Sequence, residues 1–539
     1  MTRTLHRRTL LTLSAASAAV AATACRTGSG GGSASDDTAA VEPPAHVPFD
    51  GVTPDLPGDE SGVINGYFSF PDPPVVRDGF PLPQTDTFTA LLQGDPPSIP
   101  PSSNPVYAHF REQAGNDLQD TSIISTEYRD KFQVTVAGGE LPDFVQITGV
   151  AQLPQLLEKE FTDLTEVLAG DNITQYPALA SFTDANWDVA RVNGRIWGIP
   201  QPRPPAGRVM LARGDLLAEH GLESNLELRD GKDFVDLLDT LTDRKDNVFA
   251  MGGDPTGWLL RAVREMMGAP NGWAREGDQF VNEISAEQSV LALEEAAKIV
   301  QAGYMHPNAF SDPGQNHNWF RAGVTPLLIQ GFAMWSNYAR SNPEFDTGVI
   351  ALPRWDGGGA ASSYLGQAGF GDFIGIKKQA SDERLHEALR IVDYIASPFG
   401  TQQYLDIAYG LEGQTFSFED GEPTFLPDKA SEALIGWPYV GAGSQNVLYV
   451  PGRQDLVERQ HAYLSEAIPN GTVNASTGLY SETAQGRGAT WGARRSDLER
   501  SILLGEKPVT EWEGFAESWR KDVGDAIAAE LQEAAASQG

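Results

Sequence analysis

Gly138-Gly139-Glu140-Leu141-Pro142 runs directly into Asp143-Phe144-Val145-Gln146-Ile147, a turn that opens an apolar β-like run. Glycine and proline are the strongest local punctuators of a chain, so an element must end before this turn and a new one begin after it. A helical pattern over residues 129–137 precedes the turn. Further upstream lie a strand pattern at 123–126, a helix at 105–114 and a β-like run at 87–92. Strands alternating with helices predict an α/β layer with a mainly parallel sheet, because parallel neighbours need a crossover between them. Beyond residue 210 helical patterns dominate, at 213–220, 232–243, 256–267, 285–302, 382–396 and 401–408. An Ala/Glu-rich stretch at 512–536 is also predicted helical. No fixed-period repeat is visible, which argues against a solenoid or propeller.

The chain has 539 residues, enough for two or three domains with sizeable cores. Its formal net charge of −34 argues against nucleic acid or an anionic lipid surface as partner, since no basic run offsets the repulsion. An acidic polysaccharide is disfavoured on the same ground, although a cleft can be locally basic.

The single cysteine, Cys25, ends Ala22-Thr23-Ala24-Cys25 behind a short apolar run from Thr9 to Val20 with Arg3, His6, Arg7 and Arg8 ahead of it. A positive head, a short apolar core and small residues before the cysteine form a bacterial export signal of residues 1–24. The cysteine is the predicted lipidation site. The core is too short to span a bilayer, which takes about 20 apolar residues. Arg7-Arg8 followed by apolar residues resembles a twin-arginine signal, and general secretion with two arginines is the alternative. Acylation of Cys25 would anchor the protein to the extracellular face of the cell membrane without spanning it. Residues 25–80 carry Gly28-Ser29-Gly30-Gly31-Gly32-Ser33 and Pro71-Asp72-Pro73-Pro74, and are expected to be a disordered tether.

Several segments, taken in order, carry a family resemblance. Gly139 to Val145 resembles the strand entry of extracellular solute-binding proteins, and Phe161-Thr162-Asp163-Leu164-Thr165 the segment that follows it there. Asn193-Gly194-Arg195-Ile196-Trp197-Gly198-Ile199-Pro200 and the strand-to-helix step Leu211 to Leu217 resemble further landmarks. So do Leu328 to Trp335 and Gly348 to Pro353. Tyr409-Gly410-Leu411-Glu412-Gly413, and Leu503 to Pro508 followed by Trp512, are similar to an oligosaccharide-binding lipoprotein subgroup. The chain thus resembles bacterial ABC-transporter extracellular solute-binding proteins of family 1 over residues 85–535. The resemblance implies a two-lobed periplasmic-binding-protein-like α/β fold, a cleft that closes about hinge segments, a carbohydrate ligand and permease subunits as partners. It sets one lobe at 81–202 and 366–410 and a helix-rich lobe at 203–365 and 411–539. No calcium loop is visible, and calcium is not carried over.

Sugars present an apolar C–H face and a rim of hydroxyls, so their sites combine flat aromatics with amides, carboxylates and arginines. The aromatic candidates are Trp258, Trp273, Trp335, Tyr364 and Trp437, all near turns or family landmarks, with core packing as the alternative for each. Trp335 is taken to end a strand-like run. The polar candidates are Arg208 and Asp372, with Gln201 and Thr148 after strand ends, where α/β sites form. His306, His317 and His461 lack an i+4 partner, and no zinc, Walker or nucleophile-elbow motif appears, so no metal, cofactor or catalytic residue is expected. The competing functions are a lipid-anchored hydrolase with paired carboxylates and a surface scaffold.

Overall fold

The computed structural model describes residues 42–538 apart from Asp95, Asp372, Leu434 and residues 442–445. Cys25 and the signal segment lie outside the described residues. The strand Thr89–Gln93 pairs in parallel with Gln119–Ile123 on one side and Phe144–Gln146 on the other. Ile374–Ile376 closes the sheet antiparallel to Phe144–Gln146. The turn at Leu141-Pro142-Asp143 does more than break the helix: the Asp143 carboxylate accepts from both the N–H and the hydroxyl of Thr89, each at 2.9 Å, tying two strand entries together. Gly139 adopts φ 74° just past the helix Ser125–Gly138, a left-handed end that a side chain would strain. The second strand ends at Ile123, and Ser125 already opens the helix, so the strand expected at 123–126 lies a few residues earlier in the chain.

The second sheet is built on Arg208–Ala212, flanked antiparallel by Leu327–Gly331 and Gly348–Ile350. Parallel bridges from Met251 to Leu327 and Met305 widen it. Helices Leu260–Met266, Glu287–Ala302 and Arg487–Leu503 cover this sheet, and the first and last share a buried ion network with Glu283, in the turn just before the second. Glu499 accepts from Arg264 at 2.5 Å and from Arg495 at 2.8 Å, and Arg495 also reaches Glu283 at 2.9 Å. After Gly331 the chain enters the helix Ala333–Ser341, which places Trp335 inside a helix and not at the end of a strand.

The two lobes are joined by segments that run side by side. Phe370 N–H donates to the Gln201 carbonyl at 2.9 Å and Gly366 N–H to that of Pro205 at 2.9 Å. Gly207 has φ 66°, and a Cβ there would lie 2.5 Å from the Tyr364 carbonyl oxygen, so only glycine fits where the crossings touch. The first lobe keeps its chain beyond residue 410, because Ile435, Trp437 and Val440 are buried in the same core as Phe88 and Phe144.

The disordered tether expected at 25–80 is corrected for its described part. Val63 and Ile64 are buried with Leu456, Val457 and Ile468 of the second lobe. Tyr67 stacks on Phe399 at 4.3 Å, and Phe70 meets Phe399 edge-on at 5.1 Å. Arg77 pairs with buried Asp393 and donates to Ser397 at 2.5 Å. A proline-rich chain cannot bury a core of its own, yet here it lays a few apolar side chains onto cores that others have built. Isolated bridges to Gly170, Leu448 and Thr401 satisfy its backbone on the way. Among the described residues no helix is long and apolar enough to cross a membrane.

Candidate ligand-binding cleft

Strand direction decides which sheet edges meet at the crossings. Ile199 bridges Ile374, which pairs with Gln146 at the end of its strand. The chain then crosses and begins the second sheet at Arg208, opposite Gly331. The ends of Thr89–Gln93 and Phe144–Gln146 in one lobe, and the start of Arg208–Ala212 in the other, are therefore the edges nearest the crossings. Ligand sites of α/β sheets form at strand ends of this kind.

On the second-lobe edge, Arg208 and Trp258 come together. The Arg208 guanidinium lies 4.1 Å over the Trp258 ring and donates through Nη1 to the Gly257 carbonyl at 2.7 Å. Trp258 is held by a tight turn: the Asp254 side chain caps the backbone N–H groups of Thr256 and Gly257, opening the segment Pro255–Leu259. Arg261, Glu265, Ser363 and Tyr463 line the same shallow concavity. Crowding in that concavity, with Arg261 beside it, pushes the Arg208 guanidinium down to about 10, so it stays charged at neutral pH.

A second group gathers at the crossings beside the first lobe. Arg203 lies 4.1 Å over the Phe370 ring, and Phe370 packs against Tyr439 at 6.3 Å. Tyr439 in turn lies against Gly94, just after the first strand. Burial lowers Arg203 to about 10. Sequence reasoning missed Arg203, Arg261, Phe370 and Tyr439. The signal that could have found the first two is an arginine flanking a crossing or a helix entry.

The other predicted residues are dispersed. Trp335 is 3 % exposed, donates its indole N–H to the Thr347 carbonyl at 2.8 Å and meets Phe332 edge-on, so it is core. Trp437 is 0 % exposed and packs edge-on against Phe144 at 5.5 Å, also core. Tyr364 is buried at the crossing, where its hydroxyl donates to the Ala269 carbonyl at 2.7 Å. Trp273 starts a hairpin strand and packs against Trp519 at 6.0 Å, outside the concavity. Gln201 is buried at the crossing, and its side-chain amide nitrogen has no hydrogen-bond partner among the described residues. Thr148 is half-buried just past a strand end. Asp372 lies outside the described residues.

A match to the family of bacterial extracellular solute-binding proteins covers residues 106–418, more than half of the chain. The chain belongs to that family. Lipoprotein LipO of Bacillus subtilis strain 168 is 20 % identical over 475 residues, covering 83 % of this chain and 91 % of that protein. The polygalacturonan/rhamnogalacturonan-binding protein YtcQ of the same strain is 20 % identical over 454 residues, covering 80 % and 88 %. The N-glycan transport solute-binding protein NgtS of Streptococcus pneumoniae, solved with Man1GlcNAc, superposes with a TM-score of 0.58 at 14 % identity, covering 84 % of this chain and 98 % of that one. The two-lobed solute-binding fold is therefore the frame in which this concavity sits.

Glu265 gives the concavity a pH dependence. Its carboxylate accepts the Tyr364 N–H at 3.1 Å, yet burial raises it from 4.5 to about 7, with Arg261 only partly offsetting. The folded state thus holds a proton that the unfolded chain has lost. Its contribution to stability is fully present below about pH 4.5 and is lost as pH rises through about 7, amounting to roughly 3 kcal/mol. Glu265→Gln should flatten the decline in melting temperature between pH 5 and 8 and stabilise the protein at pH 8. An unchanged pH profile would place the titrating group elsewhere.

Proposed function

We propose that this chain is a non-enzymatic receptor that captures an oligosaccharide between its lobes and delivers it to an ABC importer. The observation that carries the reading is the Arg208–Trp258 pair at the sheet edge beside the crossings, an aromatic face and a donor fork in one open concavity. Family membership supports capture of a solute outside the cell. The names of YtcQ and NgtS support a saccharide, and the name of LipO supports lipid attachment, here at Cys25. Closure of the lobes about residues 199–207 and 364–374 would bring Arg203, Phe370 and Tyr439 over the ligand from the other side. Acylated Cys25 would hold the receptor beside its permease and raise its effective concentration there.

A hydrolase would need two carboxylates flanking the bond to be cut. Glu265 is the single carboxylate lining the concavity among the described residues, and one of its oxygens already accepts the Tyr364 N–H. A thermal-shift screen over oligosaccharides tests the receptor reading. A bound ligand at 100 times its dissociation constant should add about 2.7 kcal/mol of stability and be recovered unchanged. Turnover of that ligand, or no shift across a broad panel of neutral and acidic oligosaccharides, would refute the reading.

A further inference from the structure

In a chain with 73 acidic and 39 basic residues, an arginine in a cleft is expected to find a carboxylate. Five of the eight other arginines that lie over aromatic rings do so, among them Arg213 on Phe345 with Asp215, Arg264 over Trp512 with Glu499, and Arg384 on Phe88 with Glu387. Arg203, Arg208 and Arg261 behave differently. Each lies over an aromatic ring, Phe370 at 4.1 Å, Trp258 at 4.1 Å and Tyr364 at 5.0 Å. None has a carboxylate within ion-pair distance among the described residues. Arg321, Arg494 and Arg500 also lie over a ring without an ion pair among the described residues, but none of the three lines the concavity or the crossings.

The ring beneath each guanidinium fixes its plane and leaves its N–H edge open. Arg208 spends Nη1 on the Gly257 carbonyl, and Arg261 makes only a long 3.4 Å contact to Asn271. A planar fork held in this way matches a planar carboxylate in two parallel hydrogen bonds, which an ammonium cannot do. The three cations sit on both sides of the crossing, Arg203 with the first-lobe group and Arg208 with Arg261 in the second-lobe concavity. They therefore form a local positive field inside a strongly negative molecule.

We infer that the ligand is a uronate-containing oligosaccharide whose carboxylates are received by Arg203, Arg208 and Arg261. This rests on the receptor reading above and names the ligand class that reading leaves open, since YtcQ is named for acidic polymers and NgtS was solved with a neutral glycan. Trp258 then serves the sugar ring next to the carboxylate and orients Arg208 at the same time.

The test is isothermal titration of the full-length protein with short oligogalacturonates and oligomannuronates, their methyl esters, and neutral manno- and malto-oligosaccharides. Free acids should bind about tenfold or more tightly than their esters. Their affinity should fall as salt is raised, because the charges are partly open to solvent. Arg208→Gln, Arg261→Gln and Arg203→Gln should each weaken the acid about tenfold or more, with melting temperatures near that of the parent. Arg208→Lys, which keeps the charge and loses the fork, should recover only part of the affinity. Lys521→Gln, a surface charge paired with Glu517 far along the chain, should leave affinity unchanged. Equal binding of acid and ester, or tight binding confined to neutral sugars, would overturn the uronate assignment and leave the receptor standing. Absence of binding to every sugar would remove the receptor reading itself.

Discussion

Glu499→Ala is expected to destabilise the second lobe by about 3–5 kcal/mol, the cost of leaving buried charges without their partner. Burial alone would raise the Glu499 carboxyl, but Arg264 and Arg495 outweigh it and hold it below its ordinary value. Removing it strands two guanidinium groups. Among the described residues Arg264, 4 % exposed, has no other ion pair, and Arg495 keeps only Glu283. The network joins helices Leu260–Met266 and Arg487–Leu503 behind the concavity, so the loss should appear as an early unfolding transition in urea. The quadruple change Arg264→Met, Glu499→Met, Arg495→Met and Glu283→Met should recover most of the loss, because replacing a whole buried ion network by apolar groups is often nearly neutral. A single variant as stable as the parent would mean that water reaches these charges. The Glu499→Ala protein should still bind ligand at low temperature, since none of these groups lines the concavity.

The α/β alternation before residue 200 was legible because each motif there has a local physical job. Asp143 clamps Thr89. Asp163 caps the turn at Thr165, whose hydroxyl accepts the Ile196 N–H at 2.9 Å and so links two of the landmarks. Asn193 and Gly194, with φ 51° and 75°, make the hairpin turn between them. These landmarks proved to be scaffold. The helices Gln454–Ala467 and Arg487–Leu503 were not legible: the second begins Arg487-Gly488-Ala489-Thr490-Trp491-Gly492, whose glycines and scattered apolar residues hide the helical period. The packed part of the N-terminal segment was illegible for another reason. Its composition is that of a linker; apart from local turns such as the Leu56–Gly66 bridge, its apolar side chains are buried on surfaces supplied by residues far along the chain. The site was legible only where a strand start and a helix entry coincide, at Arg208 and Trp258. Arg203 and Phe370 meet across two crossings, a juxtaposition that no local pattern encodes.

The tryptophans separate the two kinds of landmark most sharply. Trp335→Ala and Trp437→Ala should each cost about 3–5 kcal/mol, the range for deleting a buried indole from a packed core. Any loss of sugar affinity in them should vanish once measured on the fraction that remains folded. The two sites also differ in their polar atom. The Trp335 indole N–H reaches the Thr347 carbonyl, whereas that of Trp437 has no partner among the described residues. Trp335→Phe therefore leaves a buried carbonyl with one hydrogen bond fewer and should be costlier than Trp437→Phe, by about 1 kcal/mol. Trp258→Ala should behave in the opposite way. Its ring is half-buried, packs at the margin of the second-lobe core and carries the Arg208 guanidinium, so the stability loss should stay near 1–2 kcal/mol, below that of the two fully buried indoles. Its removal strips the concavity of its flat apolar face and frees the guanidinium to rotate, so affinity should fall about tenfold or more while the melting temperature barely moves. Equal melting temperatures for Trp335→Ala and the parent would contradict the core assignment. Full affinity in Trp258→Ala would move the site away from this edge of the second sheet.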